Sequence, residues 1–491
     1  MKNPPDIDHS LTLAPGNSAA GPDKRRWAMF VVLLVGAFLP PLDFFIVNVA
    51  LPSIRSDLNA SASAEQLVIS AYAALYAVTL ITGGRLGDLH GRGRMFFIGL
   101  VGFTAASLLC GFAATPWMLI TGRALQGITA AVMAPQALAS VQAIFPEAEK
   151  PLALSLYGAV FGLASVIGQA LGGILISLDL FGFGWRMIFL INLPVALLVI
   201  LFGIPLIKET RASHARTLDL GGMALSMLTL ATLIVPLIEG REAGWPLWAW
   251  LSLIASPLLG WTFWHHQAHL ARAGGAPLLD PSALRVPGLR RALLVALSFY
   301  TVGAFFLLFS IYLQGALQVS ALHAGLVFLP FGAGFLIGPL TAPLCTRVLG
   351  LYTNAVGLAL MVAGLVALAG LITLTPGNPG PQPAIFAAAL FIIGFGQGLA
   401  MPTLMRMITG RVAPALSGMM AGVTSSTLQV STALSVAVIG GIFHGVLGSD
   451  TDPIAISHAF TIALLCMATC LVLGTGLSFT LARHRASARQ G

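Results

Sequence analysis

One acid is set apart among the 17 Asp and Glu of this 491-residue chain. Asp43 falls well inside a long apolar run, in Pro40-Pro41-Leu42-Asp43-Phe44-Phe45. A carboxylate at the centre of a membrane helix costs about 2.5–3.5 kcal/mol on insertion scales. An acid kept there is suited to taking up and releasing protons. The plainer reading is a structural polar residue bonded to a neighbour, with Asn48 one turn on as the nearest partner. Arg123 is the one base read deep inside an apolar run, and Gln126 at i+3 shares its helix face. On residue type alone, Arg123 could simply pack between helices and bond carbonyls.

Other polar and aromatic groups say less. Tyr72, Tyr76, Phe305 and Tyr312 are candidate substrate contacts, though core or lipid-facing positions suit each as well. His265 and His269 have the i, i+4 spacing of a helical metal pair, but no acid or cysteine accompanies them, so no metal site is expected. Cys110, Cys345, Cys466 and Cys470 fall in apolar runs and read as small core residues. Glu65 and Glu239 are expected to be solvated at helix ends. No G-x-x-x-x-G-K, H-E-x-x-H or G-x-S-x-G is present, which argues against ATP-driven transport and against an enzyme.

The elements that must position Asp43 and Arg123 follow from composition. Of the residues, 57% are hydrophobic and 9% charged, whereas a soluble domain carries about 25% charged residues. Apolar runs recur along the chain at or above the ~20 residues that span a bilayer as a helix. Alternating ten-residue segments of a barrel are absent, so the fold class is an all-α polytopic membrane protein. Breaks at Gly, Pro and charge predict fourteen spans, at 27–52, 65–86, 95–113, 116–144, 151–177, 185–207, 217–238, 247–270, 290–314, 322–346, 350–374, 383–408, 414–446 and 457–481.

Started from a cytoplasmic N-terminus, these spans leave only Arg55, Arg186 and Arg241 outside and Arg123 within, out of 25 Lys and Arg. The net charge of +8 then reflects the positive-inside rule and not a nucleic-acid partner. Both ends are expected in the cytoplasm, with the first span as its own insertion signal. The tails are 1–26 and 482–491, six-helix bundles occupy 27–207 and 290–481, an inserted pair occupies 208–271, and 272–289 is a cytoplasmic linker. Two bundles of six suit alternating access to a site at their interface.

Four segments carry a resemblance. The loop Gly83-Gly84-Arg85-Leu86-Gly87-Asp88-Leu89-His90-Gly91-Arg92 has the spacing G-x-L-x-D-x-x-G-R after a second span. Leu42-Asp43, Asn48 and Ala50-Leu51-Pro52 lie in the first span, and Arg123, Gln126 and Gly127 form R-x-x-Q-G in the fourth. Trp185-Arg186, Phe189, Asn192 and Pro194 open the sixth. Together they resemble the major facilitator superfamily, in its fourteen-helix drug:proton antiporter branch. Fainter echoes follow at Gly394, Gly396, Gly398, Pro402 and Gln429.

The resemblance implies the major facilitator fold and a proton-coupled exporter of small, amphipathic or drug-like molecules from the cytoplasm. It implies no cofactor beyond the proton gradient, and partners limited to lipid, protons and substrate. The protein is expected to act as a monomer in the cytoplasmic (inner) membrane. Asp43 and Arg123 become the proton-coupling pair, and Gly84, Gly87, Asp88, Gly91 and Arg92 the conformational loop. Gln126, Gly127, Gly168, Gln169, Gly172 and Gly173 become packing and gating positions, and Asn48 and Gln429 join the candidate pocket. One departure bears on direction. The exporter signature in the fifth span ends Gly-Pro-x-x-Gly-Gly, and here Gln169 stands where the proline belongs. An importer of the same fold and a non-transporting sensor or scaffold stay open as alternatives.

Overall fold

The computed structural model describes residues 24–487 except 147, 208, 210–218, 241–242, 276, 280, 283–284, 320, 375–385, 413–416, 449 and 451. The N-terminal tail through 23, most of the basic linker after the sixth span, Arg241 and the last four residues therefore lie outside the described residues, as do the side chains of Glu65 and Gln169.

Thirteen apolar helical stretches can cross a bilayer, and one of them, His323–Leu374, holds two helices. Gly350, in a positive-φ conformation that suits glycine, divides those two, so the described residues contain fourteen spans. In chain order they are α1 (Lys24–Leu58), α2 (Ala62–His90), α3 (Arg92–Gly111), α4 (Pro116–Ile144), α5 (Lys150–Leu178), α6 (Gly184–Leu206), α7 (Leu220–Glu239) and α8 (Leu247–Arg272). They continue as α9 (Leu289–Ala316), α10 (Ala321–Val327 and Leu329–Leu349), α11 (Thr353–Leu374), α12 (Ala387–Thr409), α13 (Ser417–Leu447) and α14 (Pro453–Ser487). Several helices begin where the sequence offers a cap. Ser61 accepts from the Ala64 N–H at 3.2 Å, and Thr115, before Pro116, accepts from Met118 at 3.2 Å.

Helices in lipid gain little from apolar contact alone, so close packing needs small residues. The tightest pairs show it. A methyl group on Gly83 would collide with the Ala131 carbonyl, and one on Gly127 with the Tyr72 carbonyl, which locks α2 to α4. The second half repeats the device. Gly334 and Gly338 of α10 press on the α12 backbone, and a methyl group on Gly357 of α11 would sit 2.8 Å from the Gly396 carbonyl oxygen of α12. The two halves thus share a packing plan in which the second and third helices of each clasp the fourth, a repeat that the sequence hides.

Buried apolar side chains sort the same way. One cluster runs from Leu289 to Leu481, and others lie within Met29–Val199. Between the halves, α5 lies on α10, where a methyl group on Gly162 would sit 2.8 Å from the Phe335 backbone. The matching seam pairs α2 with α13. Here α7 wedges in, with Ile234 and Leu237 buried against Ala74, Ala77, Ala433 and Ala437. The Ser70 hydroxyl of α2 donates to Glu239 at the end of α7. Glu239 is therefore half-buried and engaged in a seam, not solvated as expected.

Candidate functional site

Asp43 sits two residues beyond Pro41 on α1. Pro40 and Pro41 lack N–H groups, so the Gly36 and Ala37 carbonyls lose their helical donors. This stretch of the helix is held from outside, because the Tyr72 hydroxyl of α2 donates to the Pro40 carbonyl at 3.0 Å. Asp43 then points into the first bundle and is fully buried.

Arg123 of α4 is also fully buried, and its guanidinium pairs directly with the Asp43 Oδ2. The arginine makes two further bonds nearby. Its Nε donates to the Val68 carbonyl at 2.9 Å and a terminal nitrogen to the Gln126 Oε1 at 2.8 Å. The Tyr72 ring lies 4.3 Å from the guanidinium carbon, and the Phe189 ring 5.8 Å. A buried ion pair survives desolvation only when such secondary bonds are made.

The second carboxylate oxygen has its own donors. Gln126 donates to the Asp43 Oδ1 at 3.0 Å, and Asn192 of α6 donates to it at 3.1 Å. Ser107 of α3 accepts from Gln126 at 2.9 Å and from Asn192 at 3.3 Å, while donating to the Phe103 carbonyl at 2.8 Å. Cys110 donates its thiol to the Gln126 Oε1 at 3.4 Å. The group draws on α1, α2, α3, α4 and α6. One polar atom is left over: the Asn192 Oδ1 is buried without a partner among the described residues.

The remaining expected residues divide. Gly168 and Gly172 of α5 face α1 around Asp43, with added methyls 2.9 Å from the Phe45 Cβ and 3.0 Å from the Ile46 carbonyl. Gly173 is buried beside them, and α5 runs unbroken through the position of Gln169. In the loop between α2 and α3, Gly91 adopts φ 105°, and Arg92 pairs with Asp88 at 3.1 Å while donating to the Ala139 carbonyl at 3.0 Å. Gly87 faces Gln136, which donates to the Gly83 carbonyl at 2.8 Å; Gly84 meets only Pro135.

The candidate pocket residues scatter. Tyr72 belongs to the ion pair and not to a pocket. Phe305 and Tyr312 are sealed in an aromatic core, with Phe305 stacked on Phe309 at 5.3 Å and Tyr312 on Phe460 at 5.2 Å. Asn48 is exposed and donates to the carbonyls of Phe44 and Phe45 on its own helix, so it is not the partner of Asp43. Tyr76 and Gln429 are half-buried. His265 bonds back to the Trp261 carbonyl at 3.0 Å and lies outside any cluster of metal-binding side chains among the described residues.

Two further groupings escaped the sequence reading. Asp57 at the end of α1 accepts from Trp185 at 3.1 Å and Arg186 at 2.7 Å, tying α1 to α6 on the face away from the chain ends. Asp219, at the start of α7, accepts from His266 at 2.7 Å, Gln267 at 2.6 Å and the Gly222 N–H at 2.7 Å, which fastens the inserted pair together. Regular caps and embedded amides were the available signals for these.

The family model described as Major Facilitator Superfamily matches residues 33–436, which includes this ion pair. The chain belongs to the major facilitator superfamily. It is therefore a multi-pass membrane transporter and not an enzyme. Among its relatives, the probable actinorhodin transporter of Streptomyces coelicolor is 37% identical over 89% of this chain and 76% of its own. The puromycin resistance protein pur8 of Streptomyces alboniger is 36% identical over 99% of this chain and 97% of its own. The multidrug resistance protein Stp of Mycobacterium tuberculosis is 29% identical over 85% and 76%. The facilitator is thus related to drug-resistance exporters of the fourteen-helix group. The human organic anion transporter MFSD10 has the same fold, with a TM-score of 0.64 and 16% identity over 92% of this chain and 100% of its own.

Proposed function

We propose that this protein is a proton-coupled antiporter that exports small drug-like molecules across the cytoplasmic membrane. The observation that carries the reading is the fully buried Asp43–Arg123 pair, held by the amides of Gln126 on α4 and Asn192 on α6. A proton arriving on Asp43 cancels the charge that Arg123 faces and leaves a desolvated guanidinium, which stresses the contact between α1 and α4. The new O–H also needs an acceptor. The unpartnered Asn192 Oδ1 supplies one once its amide turns over, so the site has a bonding pattern for each protonation state. Each proton crossing ~100 mV supplies about 2.3 kcal/mol, or a roughly forty-fold gradient.

Export accords with relatives whose names refer to antibiotic transport or resistance. Both chain ends lie in the cytoplasm in this reading, with Arg92, Arg94, Lys150, Arg272 and Arg347 on that face and Arg55 and Arg186 opposite. The two six-helix units rock about the α5–α10 and α2–α13 seams, the inserted pair covers one seam, and a single copy suffices. The unbroken α5, with Gln169 in place of proline, favours keeping import as the second reading.

Inverted vesicles with an imposed pH gradient test all of this. Wild type is expected to accumulate substrate on acidification of the lumen, and Asp43→Asn to lose that drive while inserting normally. Transport unchanged in Asp43→Asn would remove Asp43 from the coupling. Accumulation under the opposite gradient would make the protein an importer.

A further inference from the structure

On the face where α1 starts and α14 ends, charge is matched in the first half and not in the second. Arg26 pairs with Glu149 at 2.7 Å and Arg92 with Asp88 at 3.1 Å. Glu209 accepts from the Gly93 and Arg94 N–H groups, and Asp219 pairs with His266. From 281 to 491 the sequence has nine Arg and two acids, Asp450 and Asp452. Both acids precede α14 and so lie at the opposite face. The acid nearest in sequence before α9, Asp280, lies outside the described residues. Orientation by the positive-inside rule asks only for bases, since acids contribute little to it. It accounts for the arginines and not for the missing acids.

Three of these arginines come from different elements and gather around Gly288. That residue opens α9 at φ 81°, and a methyl group on it would sit 3.1 Å from the Arg411 Nη1, just past α12, and 3.1 Å from the Leu481 Cδ2 of α14. Arg291 follows in the first turn of α9, and Arg483 lies two residues past Leu481. Both side chains are exposed, and neither has an ion-pair partner among the described residues. No acid stands in the first turn of α9 to offset the positive end of that helix.

Deeper in the membrane the same two helices turn apolar side chains outward. The Ser298 hydroxyl of α9 donates to the Cys470 carbonyl of α14 at 2.6 Å, and a methyl group on Gly474 would collide with Ser298, so the helices touch. Arg291 and Leu294 lie seven and four residues before Ser298 and share its side of α9. Leu294 is 50% exposed. On α14, Leu473, Thr480 and Arg483 stand at i, i+7 and i+10 on one exposed side, with Leu473 exposed by 66%. Each helix therefore carries an arginine at its end and an uncovered leucine further in, beside one shared contact.

We propose that the α9–α14 contact binds one anionic glycerophospholipid, with its phosphate between Arg291 and Arg483 beside Arg411 and its chains on Leu294 and Leu473. Phosphate supplies the negative charge this part of the face lacks, and the planar guanidinium bonds it through paired N–H groups. A soluble phosphate would meet the same arginines and leave the leucines uncovered, whereas a lipid covers both. Arg483 and Leu473 are about 15 Å apart along the helix at 1.5 Å per residue, the depth of one leaflet's hydrocarbon. The site is independent of what the protein transports and in which direction.

The test is native mass spectrometry of the full chain in detergent with equal amounts of phosphatidylglycerol and phosphatidylcholine of the same chains. Wild type is expected to retain one phosphatidylglycerol in preference to phosphatidylcholine by about thirtyfold, at about fivefold for each arginine charge. Arg291→Gln and Arg483→Gln should each lower the preference about fivefold, and the combined variant should retain the two lipids alike. Arg291→Lys, which keeps the charge, should keep most of the preference. Arg272→Gln, an exposed arginine on the same face at the end of α8, should match wild type. If the combined variant fails to fold, the two single variants decide. A wild type without preference, or Gln variants that keep it, overturns the site. A loss in Arg272→Gln equal to that in Arg291→Gln also overturns it, since the whole face would then attract lipid without a site. Release of the lipid by an equal concentration of glycerol 3-phosphate would assign the arginines to a soluble anion and sink the lipid.

Discussion

Removing both partners of the Asp43–Arg123 pair should cost less stability than the two single removals summed. The two charges are fully buried and in direct contact. At an effective dielectric constant of 20, charges ~4 Å apart attract by about 4 kcal/mol. Asp43→Asn deletes that attraction and turns a new amide N–H toward the Gln126 and Asn192 donors that now bond Oδ1. Arg123 keeps the Val68 carbonyl and the Gln126 Oε1, which softens the loss, so a cost of about 3 kcal/mol is expected, at the low end for a broken buried pair. Arg123→Met strands the carboxylate with two amide donors and should cost a similar amount, about 3 kcal/mol. The double variant has no unpaired charge, and its coupling energy should recover about 2 kcal/mol or more relative to the sum of the singles. Unfolding free energies in mixed micelles, by sodium dodecyl sulfate titration, give the four corners of the cycle. Costs that add within ~0.5 kcal/mol would show that the pair does not act as a unit, and the coupling mechanism would lose its physical basis. Recovered stability with transport still absent is the expected signature of a functional pair.

Neighbouring glycines of the loop motif should respond differently. Gly83→Ala drives a methyl into the Ala131 carbonyl and should lower stability by about 1–3 kcal/mol, whereas Gly84→Ala meets only Pro135 at 3.8 Å and should leave the melting temperature in place. At the start of α3, Glu209 accepts from the Gly93 and Arg94 N–H groups at 3.1 and 3.0 Å, so Glu209→Ala should speed hydrogen exchange at those two amides. For Asp219, burial pushes the carboxyl up, but hydrogen bonds from His266, the Gly222 N–H and Gln267 together hold it below the ordinary range. Its stabilising contribution is thus complete above the unfolded value of about 3.9 and is lost as pH falls through the lower folded one. Asn caps a helix as well as Asp does, so Asp219→Asn should melt below wild type near neutral pH, and the gap should close in acid. A gap independent of pH would refute this account.

The spans were legible because helix length and apolarity in a bilayer are imposed by a solvent of fixed thickness. Predicted and observed starts for α4 and α8 coincide, at 116 and 247, since Thr115-Pro116 and Pro246 are local signals. Asp43 and Arg123 were legible for the same reason: a charge in hydrocarbon has few explanations. Their shell was not. Val68 and Pro40 contribute carbonyls, which every residue owns, and Tyr72 was expected to line a pocket because a sequence does not show which helix face meets which neighbour. Asn192 carried a signal, as a lone amide in an apolar span, but its bond to Asp43 crosses from α6 to α1. Phe305 and Tyr312 failed as pocket residues because aromatic runs on α9 also make a core. Glu239 failed because the sequence does not reveal that α7 enters the α2–α13 seam.

The two halves repeat their packing but divide the chemistry, and the division has a physical logic. In the first half, α1 and α4 meet through a buried ion pair, whose bonding in the proposed mechanism changes with one proton. In the second, the equivalent space holds stacked rings, and α9 breaks into a 3-10 turn at Tyr300–Val302, where two serines of α13 bond its backbone. A charged, amide-lined contact has discrete bonding patterns, which suits a switch; an aromatic core has one packed state, which suits a fixed wall. The α5–α10 and α2–α13 seams are joined to the α1–α4 contact through the α1–α5 and α2–α4 glycine interfaces. Those interfaces are backbone against backbone and cannot absorb displacement by side-chain rotation. In the proposed mechanism the glycines at 83, 127, 168 and 172 let a change at Asp43 move the bundle as a body, so bulkier residues there are expected to uncouple proton from substrate even in protein that still folds.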